Sequence, residues 1–202
     1  MPASEERTNE RRAQILQAAA AVFARMGIDG ARMDDIVTES GLSKGTLYWY
    51  FDSKQEIIVA LVDEVVRGEY VQLQQLIDGE GGVVERLERF FDMHASIMQA
   101  NPLLGKLGLE FYAIAGKVPK VYDLLRHYYD EYIAALIVLL KQGDERGEFR
   151  VDQPREFAIN LVALIEGSTL LWVLDIEHVD LTRQFRAAIS MLLSASTSAE
   201  KA

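Results

Sequence analysis

A short stretch of the chain, residues 43–51, carries an unusual set of hydrogen-bonding side chains for a surface helix. Lys44 can donate from its ammonium group to a guanine edge or to a phosphate, and Thr46 offers a hydroxyl and a methyl group that can meet thymine. The hydroxyls of Tyr48 and Tyr50 can donate to phosphates while their rings pack against sugars. These residue types predict a helix that contacts duplex DNA.

Two short helices are expected to position these groups. The first spans Met33–Ser40 and the second runs from Ser43 to about Phe51, with Gly41 between them supplying the left-handed conformation of a sharp turn. Leu47 lies four residues before Phe51, so both side chains face the same side of the second helix and are expected to be buried. This is the sequence form of a helix-turn-helix, whose second helix enters the major groove of DNA.

The rest of the chain also divides into helices, because apolar residues recur with a helical period and no segment alternates as a strand does. We expect the first helix over about Thr8–Met26, closed by Gly27, and a fourth helix that begins with a capping box of Ser53 and Glu56 and continues towards Ile77. Five more helices are predicted, with proline or a capping residue near several starts: Val83–Gln99, Pro102–Ala115, Pro119–Gln142, Pro154–Leu174 and Asp180–Ser194.

The predicted fold is therefore all-α, with an N-terminal three-helix helix-turn-helix head joined by a connecting helix to a C-terminal helical body. We place the head at residues 1–55, the body at 56–194 and a disordered tail at 195–202. The glycine-rich run 79–82 is the one plausible joint between domains.

Composition limits the classes of protein that fit. The 202 residues are 50 % hydrophobic and 26 % charged, as in an ordinary globular protein, and contain no cysteine, which excludes disulfides, thiolate catalysis and cysteine-bound zinc. The net charge of −10 is mainly carried after residue 55, because the first 55 residues hold seven lysines and arginines against eight acidic residues. We find no export signal and no apolar stretch that approaches a membrane span, and therefore expect a cytoplasmic protein.

An enzyme is the first alternative, and the sequence does not favour it. No Glu-x-x-His pair is present, the three histidines are scattered, and the glycines at 79–82 lack the Lys-Ser/Thr of a phosphate-binding loop. We therefore expect no catalytic residue, no metal site and no cofactor. The second alternative is a helical protein-interaction module whose helix-turn-helix no longer binds DNA, which the presence of Lys44, Tyr48 and Lys54 argues against.

The stretch from Ala31 to Lys54 closely resembles the signature of the TetR (tetracycline-repressor-like) family, and the resemblance extends from about Arg12 to Leu61. It implies a two-domain, all-α transcriptional regulator, usually a repressor, that binds a palindromic operator as a homodimer and responds to a small-molecule effector. Where members of the family often have Ser or Thr capping the second helix and contacting phosphate, this chain has Arg32, which we expect to reach phosphate instead.

Nine residues are therefore predicted to contact DNA. Lys54 is included because it places a charge and free amides where a phosphate would lie, and Trp49 because of its position, although packing in the core is the favoured interpretation of Trp49. The predicted set is Arg32, Ser43, Lys44, Gly45, Thr46, Tyr48, Trp49, Tyr50 and Lys54.

The segment Pro154–Leu174 carries two apolar stripes. Because both must be buried, we expect one stripe to pack against its own subunit and the other against a partner subunit. The family resemblance implies dimerisation through the last two long helices as a four-helix bundle. The alternative is that both stripes lie in the core of one subunit. The predicted dimer residues are Phe157, Leu161, Leu164, Leu171, Phe185, Ile189 and Leu192.

A pocket for the effector is expected among the middle helices, where aromatic and aliphatic side chains accompany a few hydroxyls and a carboxylate, a lining that suits an apolar or amphipathic ligand. The same residues could simply form the core. The predicted pocket residues are His94, Met98, Glu110, Phe111, Tyr112, Tyr128, Tyr132, Glu166 and Trp172.

Overall fold

The computed structural model describes the backbone of residues 2–198 and the side chains of residues 6–191 and 193, and all regular secondary structure in that range is helical. The nine helices of the described range are α1 Pro2–Met26, α2 Met33–Ser40, α3 Lys44–Tyr50, α4 Lys54–Asp78, α5 Val83–Ala100, α6 Leu103–Ala115, α7 Pro119–Glu145, α8 Pro154–Leu174 and α9 Leu181–Ser198. The all-α prediction is confirmed.

Most helix boundaries follow the predicted capping signals. Gly27 and Gly41 both have positive φ, at 75° and 67°, and end α1 and α2 as expected. Asp180 caps α9, since its Oδ1 accepts from the backbone N–H of Arg183 at 3.0 Å. Three boundaries differ from the prediction by three residues or more, because α1 begins already at Pro2, α7 continues to Glu145 and α9 continues to Ser198. Of the predicted tail, residues 195–198 are thus helical and 199–202 lie outside the described residues.

The capping box at the start of α4 forms only in part. Ser53 Oγ accepts from the backbone N–H of Glu56 at 3.3 Å, as predicted. The Glu56 carboxylate, however, accepts from the backbone N–H of Asp52 at 2.8 Å instead of from that of Ser53. The reciprocal bond is displaced by one residue and ties down the loop before the helix.

The chain forms two compact units, and the first comprises the residues up to Arg67 together with Lys106–Leu125. The head therefore does not close on its own at residue 55, because the first half of α4 and most of α6 supply part of its core. The buried side chains contributed by the later segments are Ile57, Ile58, Leu61, Val62, Leu107, Phe111, Ile114, Val118 and Val121.

The second unit comprises Gly68–Gly105 and the chain from Arg126 onward. Its core joins the second half of α4 with α5, α7, α8 and α9, through residues that include Phe91, Leu139, Trp172 and Phe185. This unit corresponds to the predicted helical body without residues 56–67 and 106–125, which belong to the first unit.

The glycine-rich run 79–82 is a tight turn inside the second unit and does not join the two units. The buried guanidinium of Arg86 donates to the carbonyls of Leu76, Ile77 and Gly79 at 2.8–3.1 Å, and so satisfies the last carbonyls of α4. Because one side chain holds three carbonyl groups of this turn, the turn is not free to act as the predicted interdomain joint.

Within the described residues, α8 is the one helix that is long and apolar enough to cross a membrane, with a mean hydropathy of 1.8 over an 18-residue window. The prediction that no apolar stretch approaches a membrane span is therefore wrong for this segment, by length and composition. One third of the window is already buried in the second unit, and Glu166 lies within the helix. A core helix of a globular protein meets the same criteria of length and composition.

Candidate functional site

The helix-turn-helix of the first unit is built on a small apolar base. Leu47 is fully buried and Phe51 nearly so, in one core with Ile36 of α2, while Leu42 packs against that core from the turn. Ser43 caps α3, since its Oγ accepts from the backbone N–H of Thr46 at 3.0 Å. The predicted turn and the predicted buried side of the second helix are therefore both present.

The opposite side of α3 is open to solvent and strongly aromatic. The side chain of Trp49 is 72 % exposed and that of Tyr48 is 40 % exposed. Gly45 lies on the same side, where a Cβ would meet only Ser43 Oγ, at 3.9 Å. The alternative in which Trp49 packs in the core is wrong, because Leu47 and Phe51 occupy the buried side. Tyr50 is half-buried, with its ring edge-on to Trp49 at 4.6 Å between centroids.

Lys44 is exposed on the first turn of α3 but already has a carboxylate partner. Its Nζ lies 2.7 Å from Oδ1 of Asp34 on α2, and 6.0 Å from the centre of the Tyr48 ring. The hydrogen bond to Asp34 raises the pKa of Lys44 above its usual value. Lys44 therefore keeps its charge, and a phosphate or a base must displace Asp34 to use it.

Arg32 and Lys54, the two other predicted cations, differ in their surroundings. Arg32 is exposed at the start of α2, where its backbone N–H donates to Asp35 Oδ2 at 2.8 Å. The ammonium group of Lys54 instead donates to the carbonyls of Ile28 and Ala31, at 2.7 and 2.8 Å. The predicted phosphate contact of Lys54 conflicts with this arrangement, because its donors are used on the carbonyls of the loop between α1 and α2.

The α1–α2 loop is held from the other side by residues far away in sequence. Glu110 of α6 accepts from the backbone N–H of Ile28 at 2.7 Å, and Lys117 donates to Asp29 Oδ2 at 2.5 Å. The bond to Lys117 lowers the pKa of Asp29. Glu110 thus satisfies a free amide just after α1 ends, a role that the sequence analysis did not foresee when it placed this carboxylate in the pocket.

The predicted pocket residues do not come together as one set. Glu110, Phe111 and Tyr112 lie on α6 in the first unit, where Phe111 belongs to the core and Tyr112 is exposed. The remaining six belong to the second unit: His94, Met98, Tyr128, Tyr132, Glu166 and Trp172. Trp172 is buried and also lines a surface cleft of about 350 Å³ together with Gln99 and residues 176–180.

Within the second unit, α4, α5, α7 and α8 bring a polar cluster together, to which α4 adds a residue that the sequence analysis missed. Glu69 of α4 lies 3.9 Å from His94, measured from Oε1 to Nδ1, and Tyr129 donates to Glu166 Oε1 at 2.7 Å. Burial and the nearby Glu166 raise the pKa of Glu69 to about 7. A signal was present in the sequence, since Glu69 interrupts an apolar stripe that continues with Leu73 and Leu76.

The predicted dimer residues also divide into two sets. Phe157, Leu161, Phe185 and Ile189 are buried in the core of their own subunit, so they offer no surface to a partner. Leu164 and Leu171 are exposed on α8. The side chain of Leu192 lies outside the described part of the chain.

A helix-turn-helix with an aromatic and polar outer face, carried on an all-helical chain, defines the class of helix-turn-helix DNA-binding regulators. Comparison with known families agrees. Residues 15–61 match the model described as bacterial regulatory proteins, tetR family, and residues 83–195 match the model described as BetI-type transcriptional repressor, C-terminal. Together these two matches extend over most of the chain.

Individual proteins show the same likeness over long stretches. The HTH-type transcriptional regulator YfiR of Bacillus subtilis strain 168 is 26 % identical over 151 residues, which is 75 % of this chain and 74 % of that protein. A transcriptional regulator from Pseudomonas aeruginosa PAO1 superposes with a TM-score of 0.81 at 26 % identity, covering 95 % of this chain and 92 % of that one. A transcriptional regulator FadR from Bacillus subtilis, solved with stearoyl-CoA, has a TM-score of 0.74 at 21 % identity and covers 90 % and 97 % of the two chains.

The chain belongs to the TetR family of bacterial transcriptional regulators. It is a ligand-responsive, DNA-binding transcriptional regulator, and the members of this family are regulators and not enzymes. An interaction module with a helix-turn-helix that no longer binds DNA is not favoured.

Proposed function

We propose that the protein is a cytoplasmic repressor that binds a palindromic operator as a homodimer and releases it when a small molecule binds the helical body. The observation that carries the proposal is the outer face of α3, where Tyr48 and Trp49 are exposed while Leu47, one position away, is fully buried. Two neighbouring exposed aromatic side chains on the second helix of a helix-turn-helix are placed to contact duplex DNA.

The contacts with DNA follow from the surroundings of each side chain. Tyr48, Trp49 and Gly45 form the face of α3 that meets the groove, with Thr46 and Tyr50 at its edges and Ser43 at its start. In the proposed complex, the ammonium group of Lys44 leaves Asp34 and binds a base edge or a phosphate. Arg32 binds a phosphate. Lys54 acts indirectly in this proposal, since its ammonium group holds the carbonyls of the α1–α2 loop and thereby supports α2.

A second copy of the chain covers the exposed side of α8. Leu164, Leu170, Leu171 and Leu174 lie there, with exposed fractions between 38 % and 72 %. Met191 on α9 is 66 % exposed and is included in the proposed interface. A four-helix bundle formed by α8 and α9 of two subunits buries these side chains and is the arrangement that the family resemblance implies.

Release of the operator is proposed to work through α4. This helix contributes Ile57 and Leu61 to the core of the first unit, and Leu73 and Leu76 to that of the second. A ligand that favours one position of its second half therefore changes the position of α3. The two recognition helices of a dimer must lie about 34–36 Å apart to enter successive major grooves, so a small movement lowers DNA affinity.

The experiment measures duplex binding by fluorescence anisotropy at several salt concentrations. Arg32→Gln should weaken binding and lower the slope of log K against log salt by about one per subunit, since a phosphate contact by a cation releases a counterion. Tyr48→Ala should weaken binding without changing that slope, because the lost group is neutral. Tyr70→Ala, an equally exposed tyrosine on α4, is the control and should bind as the wild type does. Wild-type affinity for duplex DNA in both Arg32→Gln and Tyr48→Ala would contradict the proposed DNA interface.

A further inference from the structure

The cation at the start of the recognition helix α3 is held in an ion pair with α2. Nζ of Lys44, the first residue of α3, lies 2.7 Å from Oδ1 of Asp34, in the first turn of α2. The two side chains are 61 % and 69 % exposed. The ring centre of Tyr48 lies 6.0 Å from the same Nζ. The pair therefore adjoins the face of α3 that is proposed to meet the groove.

The fold does not depend on this ion pair to hold the two helices together. An exposed ion pair contributes little to folding stability, because water and salt screen it. The two helices are instead joined through a common core, in which Ile36 of α2 and Leu47 of α3 are fully buried. A role for Asp34 is therefore to be sought in the binding of DNA.

The other two carboxylates of α2 have partners of a different kind. Glu39 lies 2.9 Å from Arg25 of α1, and Asp35 accepts from the backbone N–H of Arg32 at 2.8 Å. Within the part of the chain that the structure describes, Asp34 is thus the one carboxylate of α2 that binds a cation of α3. It occupies an ammonium group that DNA could otherwise use.

The ion pair removes one positive charge per subunit from the surface that is proposed to face DNA. Affinity for any DNA sequence comes mainly from cations that neutralise phosphates and release counterions. A lysine held by a carboxylate adds little to that affinity, because a phosphate must first displace the carboxylate, which the DNA then repels. A correctly placed base edge offsets this cost through a contact that a random sequence does not provide.

We propose that Asp34 is a specificity-determining residue, whose carboxylate keeps Lys44 from the phosphates of random DNA and releases it where a base edge of the operator binds the ammonium group. This inference rests on the proposed function, because it concerns the same DNA-binding surface. It assigns Lys44 to a base edge in the operator complex. It also gives Asp34 a positioning role that acts through Lys44, without a DNA contact of its own.

The first measurement is the affinity of the purified full chain for a short duplex of random sequence at several salt concentrations. Asp34→Asn keeps the size of the side chain but removes its charge, which frees Lys44 to bind phosphate on any sequence. We expect binding about tenfold tighter at low salt, and a slope of log K against log salt that is steeper by about one per subunit. Asp63→Asn, which breaks a similar ion pair with Arg67 on α4, is the control and should bind as the wild type does.

A second pair of variants shows whether the effect depends on Lys44. In a Lys44→Gln background the carboxylate has no cation to hold, so adding Asp34→Asn should change the affinity for random duplexes less than about twofold. A gain as large as that in the wild-type background would mean that Asp34 acts through its own charge, and would overturn the proposed role. Asp34→Glu keeps a carboxylate and should retain the wild-type salt slope.

The last comparison is between the random duplex and the palindrome that the wild-type protein selects. Asp34→Asn should lower the ratio of the two affinities at least about fivefold, because its gain on random DNA is not matched on the palindrome. The proposal is overturned if Asp34→Asn binds random duplexes no more tightly than the wild type, or if it tightens binding to both duplexes equally. If the wild-type protein selects no palindrome, the proposed function and this inference fail together, and that result appears before any variant is made.

Discussion

Replacing Glu69 by glutamine should change how the stability of the protein depends on pH. Glutamine keeps the size and the polarity of the side chain, but it cannot ionise. In the native structure Glu69 is mostly buried, and Glu166 lies close enough to act on it by charge. The variant therefore removes one titrating group from the second unit with little change in packing.

The size of the effect follows from the pKa. The carboxyl group of Glu69 titrates at about 7 in the folded protein against an ordinary value of 4.5. Because the folded pKa is raised, the stabilising contribution is fully present below the unfolded pKa and is lost as the pH rises through 7. A difference of this size corresponds to about 3 kcal/mol of unfolding free energy.

Urea denaturation followed by tryptophan fluorescence, at one fixed protein concentration, measures the unfolding free energy at pH 4.5 and pH 8. We expect the wild type to lose about 3 kcal/mol more than Glu69→Gln over this interval. His94, whose pKa is lowered, titrates in both proteins and cancels in the difference. Glu64→Gln, the same change at an exposed position of α4, should behave as the wild type does. Equal pH dependence in the wild type and Glu69→Gln would refute the buried, charge-coupled carboxylate.

Two further substitutions test other parts of the account. Glu110→Ala should lower the unfolding free energy by about 1–3 kcal/mol, because it leaves the backbone N–H of Ile28 without its acceptor, whereas Glu110→Gln keeps an acceptor and should cost less in denaturant titrations. The same loss of unfolding free energy in both variants would show that the hydrogen bond from Ile28 to Glu110 does not stabilise the fold. Leu171→Glu should raise the dimer dissociation constant at least about tenfold in sedimentation experiments, since Leu171 is 59 % exposed on the proposed interface, while Leu103→Glu on α6 should leave it unchanged. A fully dimeric Leu171→Glu protein would exclude this face as the interface.

Local sequence signals were sufficient to predict the helices and the helix-turn-helix. Gly41 marks the turn because few other residues adopt its positive φ, and Leu47 and Phe51 mark the buried side of α3 by their spacing. Asp180 and the proline at position 154 locate helix starts for equally local reasons. Each of these features depends on residues within a few positions of each other.

Contacts between distant segments could not be predicted in the same way. Glu110 binds a backbone amide 82 positions earlier, and Lys54 binds carbonyls 23 and 26 positions earlier, so neither partner is visible from local spacing. The helical period showed two apolar stripes on α8 but could not tell which one the subunit buries itself. Phe157 and Leu161 were therefore assigned to the interface although they belong to the core.

The central claim is that this chain reads a specific DNA sequence through α3 as a dimer, and selection from random duplex DNA at low salt tests it most directly. The account predicts that the wild-type protein enriches a palindrome whose half-sites lie one helical turn apart, and that Tyr48→Ala enriches none. Enrichment of no sequence by the wild-type protein, or of the same palindrome by Tyr48→Ala, would contradict the account.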